Sequence, residues 1–308
     1  MRWRKLGLVY APAGDQWWAK SHAMCPTPLQ ISPEIIRVFI TCLDQNGIGR
    51  PGYVDVDAEN PSKVLAVGQN PIFDIGKPGT FDDNGALVTS VLRLPDGTLF
   101  FYYVGFELCV KVRYRLFTGV AISTDLGVTA ARYSDTPILD RNSDELYFRG
   151  GPCALWQNDR VRLWYVAGSE WIDIGGKPMP VYDLRYVESK DGLCFPNKAS
   201  VLMNVTDPDE HGFGRPWVVR RGPDDFQLFY SIRRRSLAAY RLGYAESTDG
   251  LNWKRRDHLL NLDVSSDGFD NQAIMYSVIF SVRDKTYCFY NGNNFGEQGF
   301  GLAQLVEA

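Results

Sequence analysis

The chain has 308 residues, 45% hydrophobic and 22% charged, enough apolar side chain for a sizeable core. Its formal net charge of -3 excludes a general nucleic-acid binder, which needs a basic face to replace phosphate counterions. No apolar stretch approaches membrane-spanning length, and aromatic residues reach 13%, an excess that suits pleated strands and the flat faces of sugar rings alike.

Taken in order, the elements are all strands. Residues 6–10 (Leu-Gly-Leu-Val-Tyr) have strand character and lack the apolar core of a signal peptide. A first strand is expected at 22–29, a second around Phe39-Ile40 and a third at Gly52-Tyr-Val-Asp55. The same succession then returns four times. First strands fall at 86–94, 151–156, 215–220 and 274–282. Second strands carry the pairs Tyr102-Tyr103, Trp164-Tyr165, Phe229-Tyr230 and Phe289-Tyr290. Third strands start near Gly119, Arg185, Gly243 and Gly301. A repeat of about sixty residues with several strands per repeat predicts an all-β, five-bladed β-propeller occupying 1–308 as a single domain. The fifth repeat ends after its third strand, so residues 6–10 are expected to close it and leave no open edge. Asp96-Gly97, Asp191-Gly192 and Asp249-Gly250 read as tight turns and are set aside from chemistry.

Polar segments with an aromatic residue precede each first strand, where a propeller opens its central funnel. They contribute Trp18 and His22, then Asp82 and Asp83, then Arg149, then Glu210, His211 and Arg215, and finally Asp270, Gln272 and Tyr276. Paired carboxylates suit glycosidic chemistry, one protonating the leaving oxygen and the other acting as base or nucleophile. Adjacent acids on an extended segment point opposite ways, so one of Asp82 and Asp83 is expected at the funnel, with Glu210 as the second carboxylate. The remaining residues would bind substrate: amides match hydroxyls, and arginines match anionic groups. The run Arg233-Arg234-Arg235 reads as a solvated hairpin tip and His258 as surface. Glu170-Trp171 reads as loop or core. Asn291, Asn293 and Asn294 are weaker candidates.

Neither a His-x-His nor a His-Glu-x-x-His spacing occurs, so no metal is expected; without Gly-x-Ser-x-Gly or Gly-x-Gly-x-x-Gly, neither an elbow nucleophile nor a nucleotide cofactor is expected. The six cysteines lack a CxxC pair and read as buried thiols of a cytoplasmic protein.

Ser21-His-Ala-Met-Cys-Pro-Thr-Pro28, Thr80-Phe-Asp-Asp-Asn-Gly85, Thr136-Pro-Ile-Leu-Asp-Arg141, Gly243-Tyr-Ala-Glu-Ser-Thr-Asp-Gly250, Asp270-Asn-Gln-Ala-Ile-Met-Tyr276 and Tyr290-Asn-Gly-Asn293 carry a resemblance. The chain resembles, over essentially its whole length, the five-bladed glycosidase-like propellers of bacterial polysaccharide loci. It is similar to the propeller domain of glucosamine inositolphosphorylceramide transferases, and more remotely to the arabinanase/xylosidase, invertase and mannosyl-phosphorylase families. The resemblance implies a glycoside hydrolase-like, carbohydrate-active enzyme acting on a polysaccharide or oligosaccharide. The alternative is a non-catalytic sugar-binding accessory propeller. Arabinanase-type enzymes place acids at the first strands of blades one, two and three. Here Ser21-His22 and Arg149-Gly150-Gly151 stand at the first and third, and Gln272 stands where near relatives carry Glu.

Overall fold

Neighbouring residues on a strand face opposite sides of its sheet, so a pair of large rings covers both faces at once. The computed structural model describes residues 1–237 and 239–307. Its strands are β1 (Arg2–Tyr10), β2 (Ser21–Gln30), β3 (Ile35–Leu43), β4 (Gly49–Asp57), β5 (Val64–Val67), β6 (Ala86–Arg93), β7 (Leu99–Leu108), β8 (Tyr114–Ser123), β9 (Ala131–Arg132) and β10 (Phe148–Gln157). They continue as β11 (Arg160–Ile174), β12 (Lys177–Ser189), β13 (Ser200–Met203), β14 (Glu210–Gly222), β15 (Asp225–Arg234), β16 (Tyr240–Ser247), β17 (Lys254–Arg255), β18 (Met275–Val282), β19 (Lys285–Asn291) and β20 (Phe300–Glu307). No helix among the described residues is long and apolar enough to cross a membrane.

The fold is all-β. Strands β2-β3-β4-β5 form one antiparallel sheet and β1-β20-β19-β18 another. The others form a 12-stranded sheet. Inside it, the antiparallel runs β6 to β9, β10 to β13 and β14 to β17 are joined only by short parallel contacts, Phe148 and Arg149 beside Leu116 and Phe117, and Tyr182 beside Gly212. The first strands β2, β6, β10, β14 and β18 each pack against the next, and β18 returns to β2. β1 lies antiparallel on β20, from Arg2 opposite Glu307 to Tyr10 opposite Phe300, where residues 6–10 were expected.

The second-strand pairs explain the packing. The first ring of a pair reaches the next run's turn: the Tyr102 hydroxyl donates to the Gly192 carbonyl at 2.9 Å, and Trp164 Nε1 to the Gly250 carbonyl at 2.7 Å. Those turns are held by Ser189 with Asp191 and Ser247 with Asp249. Backbone N–H groups, Asn252 foremost, hold the Asp249 carboxyl well below the usual carboxylate range, as an acid dedicated to a turn requires. The second ring of a pair points to the opposite face, and at Tyr103 and Tyr230 a third-strand glycine, Gly119 or Gly243, leaves it room. A Cβ on Gly243 would lie 2.4 Å from the Tyr230 ring.

Two first strands begin earlier than expected. β10 starts at Phe148 and β14 at Glu210, because Gly151 (φ 64) and Arg215 (φ 37) are bulge residues inside a strand and not its beginning. Every first strand breaks register at this level, between Met24 and Thr27, Val88 and Ser90, Gly150 and Cys153, Gly214 and Trp217, and Met275 and Val278. Proline follows the bulge residue in Cys25-Pro26, Gly151-Pro152 and Arg215-Pro216, a place where a ladder donor is dispensable.

The cysteines are all free. Cys25, Cys42, Cys153 and Cys288 are buried as expected. Cys109 is half-buried and Cys194 exposed, the latter in the turn after β12.

Gly243→Ala should lower the unfolding free energy by about 1–3 kcal/mol, the usual cost of forcing a methyl into a filled core, read from urea denaturation midpoints. An unchanged midpoint would mean that the Tyr230 ring yields freely.

Candidate functional site

Arg215 occupies the middle of the ring of first strands. From β14 its guanidinium donates to the Tyr276 carbonyl on β18 (2.9 Å), to the Pro26 carbonyl (3.1 Å) and Thr27 Oγ1 (2.6 Å) on β2, and to the Thr89 carbonyl on β6 (3.2 Å). A Cβ on Gly151 of β10 would lie against its backbone. One residue therefore touches all four other first strands. It is 3% exposed, has no carboxylate partner among the described residues, and its Nε is unpartnered. Burial pulls its pKa down, leaving a cation solvated by carbonyl dipoles. Expected as a substrate contact, Arg215 is instead a crosspiece of the ring.

The carboxylates near this ring are held in a repeated arrangement. The second ring of each aromatic pair donates its hydroxyl to an acid: Tyr103 to Asp82 (3.0 Å), Tyr165 to Glu145 (2.6 Å), Tyr230 to Asp257 (2.7 Å) and Tyr290 to Asp270 (3.0 Å). A cation completes each set. Arg132 meets Asp82 at 2.6 Å, Arg149 meets Glu145 at 2.9 Å, Arg255 meets Asp257 at 2.6 Å, and Lys5 meets Asp270 at 2.6 Å. Burial foremost, then the nearby carboxylate in Tyr103, Tyr230 and Tyr290, pushes these phenols above their ordinary pKa, so they remain donors. Phe81 stacks on Tyr103 as Phe269 stacks on Tyr290, which makes Phe81-Asp82 and Phe269-Asp270 structural counterparts. Glu210 is 2% exposed and takes two bonds from Arg255, at 2.7 and 2.8 Å.

Asp82, Arg149, Glu210 and Asp270, expected at the funnel, are thus buried in ion pairs, and of these Glu210 also lines the cleft beside His211. Trp18 also departs from expectation. It is 1% exposed and fills the space over Gly52, its Nε1 donating to the Gln69 carbonyl; Trp17 takes the exposed position instead. Gln272 is exposed, and its backbone, not its side chain, is engaged, by Asn293 and Arg241. His258 is exposed as expected. Of the two adjacent aspartates, Asp83 is the half-buried one, accepting from the Gly79 N–H (2.8 Å) and the Asn84 amide (2.5 Å).

His22 is half-buried at φ 63, with Ser21 Oγ 2.8 Å from Nδ1. Burial lowers its pKa, against the opposing charge of Glu297. His211 is buried with Nδ1 3.1 Å from the Pro180 carbonyl; burial first, with Arg233 and Arg235 adding to it, holds its pKa below the ordinary value. A cleft of about 280 Å³ opens beside it. Glu170, Ile172 and Val181 of the long β11–β12 hairpin form one wall, Val205 to Pro208 form another, and Arg235 stands at the edge. That volume approaches the lower end of small-ligand pockets, about 300 Å³.

The group that sequence reasoning missed is Arg233. Arg234 pairs with Asp209 at 3.8 Å and Arg235 is exposed, but Arg233 turns to the other side of β15. Its guanidinium carbon sits 5.3 Å from the Tyr182 ring centre and 4.9 Å from that of Tyr240. Tyr240 in turn packs on Tyr276 (5.6 Å) and Phe295 (6.0 Å). Tyr276, at φ 57, links this aromatic group to the ring centre through its carbonyl bond with Arg215. The sequence signal was the strand's alternation, which separates Arg233 from Arg234.

This assembly is a propeller-like fold of the glycoside hydrolase kind. A solved glycoside hydrolase shares 19% identity and superposes with a TM-score of 0.77, over 99% of this chain and 92% of that one. A thermostable family-43 glycoside hydrolase follows at 14% identity and 0.68, over 96% and 93%. No protein-family model matches. The chain belongs to the same family as the uncharacterized protein Rv1502 of Mycobacterium tuberculosis (strain H37Rv), with 32% identity over 305 residues and 99% of both chains covered.

Asp82→Asn should destabilise the fold by about 3 kcal/mol, since it leaves Arg132 facing a neutral amide in a buried site. Asp83→Asn should stay within about 0.5 kcal/mol, and urea midpoints distinguish them. A second check uses pH. The folded-state pKa of His211 lies below the unfolded value of about 6.5, so the unfolded chain takes up the proton first as pH falls. Stability should drop below that pH, and His211→Gln should flatten the drop.

Proposed function

We propose that this chain is a five-bladed β-propeller, one domain over 1–308, and a carbohydrate-active protein that takes a saccharide of a bacterial polysaccharide or oligosaccharide at the mouth of its ring. Taking the short parallel contacts of the 12-stranded sheet as seams between blades supports the count, with β1 completing the last blade. Free, largely buried thiols fit a reducing compartment such as the cytoplasm.

The observation that carries the functional reading is the cluster of Tyr182, Tyr240, Tyr276 and Arg233, which lies behind His211, a neighbour of Arg233 that borders the cleft. Ring faces cover the C–H surface of a pyranose while hydroxyl, imidazole and guanidinium groups meet its oxygens. Glycoside hydrolase neighbours support the same class, as an analogy of fold. Saccharide recognition is what this geometry favours. Two-carboxylate cleavage needs acids about 5–10 Å apart across the sugar, and Asp82, Glu145 and Asp270 are engaged in buried ion pairs, as is Glu210, which lines the cleft with Arg255 on its carboxylate.

A catalytic reading rests on Asp83, whose partial exposure distinguishes it from those four. It would serve as the single acid of a reaction assisted by a group on the substrate, with His22 and His211 as neutral hydrogen-bonding partners. Glycan-array binding followed by product analysis tests both readings. Capture of a saccharide without release of product is the expected result. Turnover abolished by Asp83→Asn, in a protein with unchanged melting temperature, would replace recognition with catalysis.

A further inference from the structure

Arg233 has five N–H donors and uses one of them. Its Nε donates to the Tyr240 hydroxyl; neither terminal nitrogen has a hydrogen-bond partner among the described residues, and Nη1 is sealed from solvent. That unused edge is the one that makes paired bonds to a carboxylate, phosphate or sulfate. Most other buried or half-buried arginines here do meet an acid: Arg37 meets Asp55, Arg50 meets Asp44, Arg149 meets Glu145 and Arg255 meets Glu210. Arg233 and Arg215 do not, and Tyr276 touches both neighbourhoods.

The surroundings cannot neutralise it. A guanidinium stays protonated in proteins, and the acidic groups closest to this one are phenols, those of Tyr240, Tyr182, Tyr114 and Tyr276. Burial raises the pKa of Tyr182, Tyr240 and Tyr276 in turn, so they stay uncharged. His211 is held neutral beside it. The result is a preorganised cation between two rings with no counterion among the described residues, and leaving its donors unmade is costly unless a ligand completes them.

We infer that the saccharide taken at this mouth is anionic, and that Arg233, between Tyr182 and Tyr240, receives its carboxylate, phosphate or sulfate group through Nη2, the terminal nitrogen that is not sealed from solvent. This rests on the saccharide reading above and narrows it to a substrate class. Calorimetric titration of the whole chain with galacturonate, glucose 6-phosphate and glucose 6-sulfate, set against galactose and glucose, tests it and separates the three anions. The acidic sugars should bind at least tenfold tighter than the neutral ones, with a preference that weakens as salt rises. Arg233→Met should cost about 10- to 100-fold for the acidic sugars, leave neutral sugars nearly unchanged, and be partly rescued by Arg233→Lys. Equal binding of acidic and neutral sugars by the unaltered protein overturns the anion assignment while leaving the saccharide site standing, and needs no variant to fold. Binding of none of these sugars overturns the saccharide reading and this inference with it.

Discussion

One guanidinium ties the centre of the molecule together. Arg215 leaves β14 at a positive φ and bonds to carbonyl and hydroxyl oxygens of β2, β6 and β18, with β10 against its backbone. Only a long, multi-donor side chain can span strands that are not paired to one another. The bulges at the same level of all five first strands are what turn carbonyls inward to receive it. A carboxylate there would compete with those carbonyls, and its absence keeps the crosspiece symmetric in its demands. Everything on the mouth side is built upon this floor.

The walls follow a second rule, carried by the aromatic pairs. In Tyr102-Tyr103 and Trp164-Tyr165 alternation sends one ring to the neighbouring turn and the other to a buried acid, so a single dipeptide both fastens adjacent runs and positions a carboxylate. The first run departs from it. Ile40 replaces the tyrosine, and Trp18 covers Gly52. The rule explains why acids recur in the sequence at the places where glycosidic chemistry would put them: they are mostly the anchors of phenols.

The repeat, the first strands, the second-strand rings and the closing role of residues 6–10 were legible because each is a local pattern. The fate of the carboxylates was not. Asp82 meets Arg132 and Asp270 meets Lys5, partners brought from distant positions by ring geometry, with no trace in the flanking residues. Arg233 was hidden for a different reason. Three consecutive arginines look like one solvated cluster, yet a strand divides them between its two faces. Trp18 misled by proximity to His22, although the two lie on opposite sides of a strand's beginning, one in the core and one half-buried.

The pairing of β1 with β20 has a consequence for how the molecule is made. β1 is translated nearly three hundred residues before the strand that will cover it. Until then its hydrogen-bonding edge has no native partner, and the preceding runs must wait for a contact of very large sequence separation. Closure is therefore a late event that awaits synthesis of β20, and a nascent chain stalled before Phe300 presents β1 as an adhesive strand beside an unfilled slot. Two such chains can satisfy each other, so the same device that seals one ring offers a route to exchanged dimers.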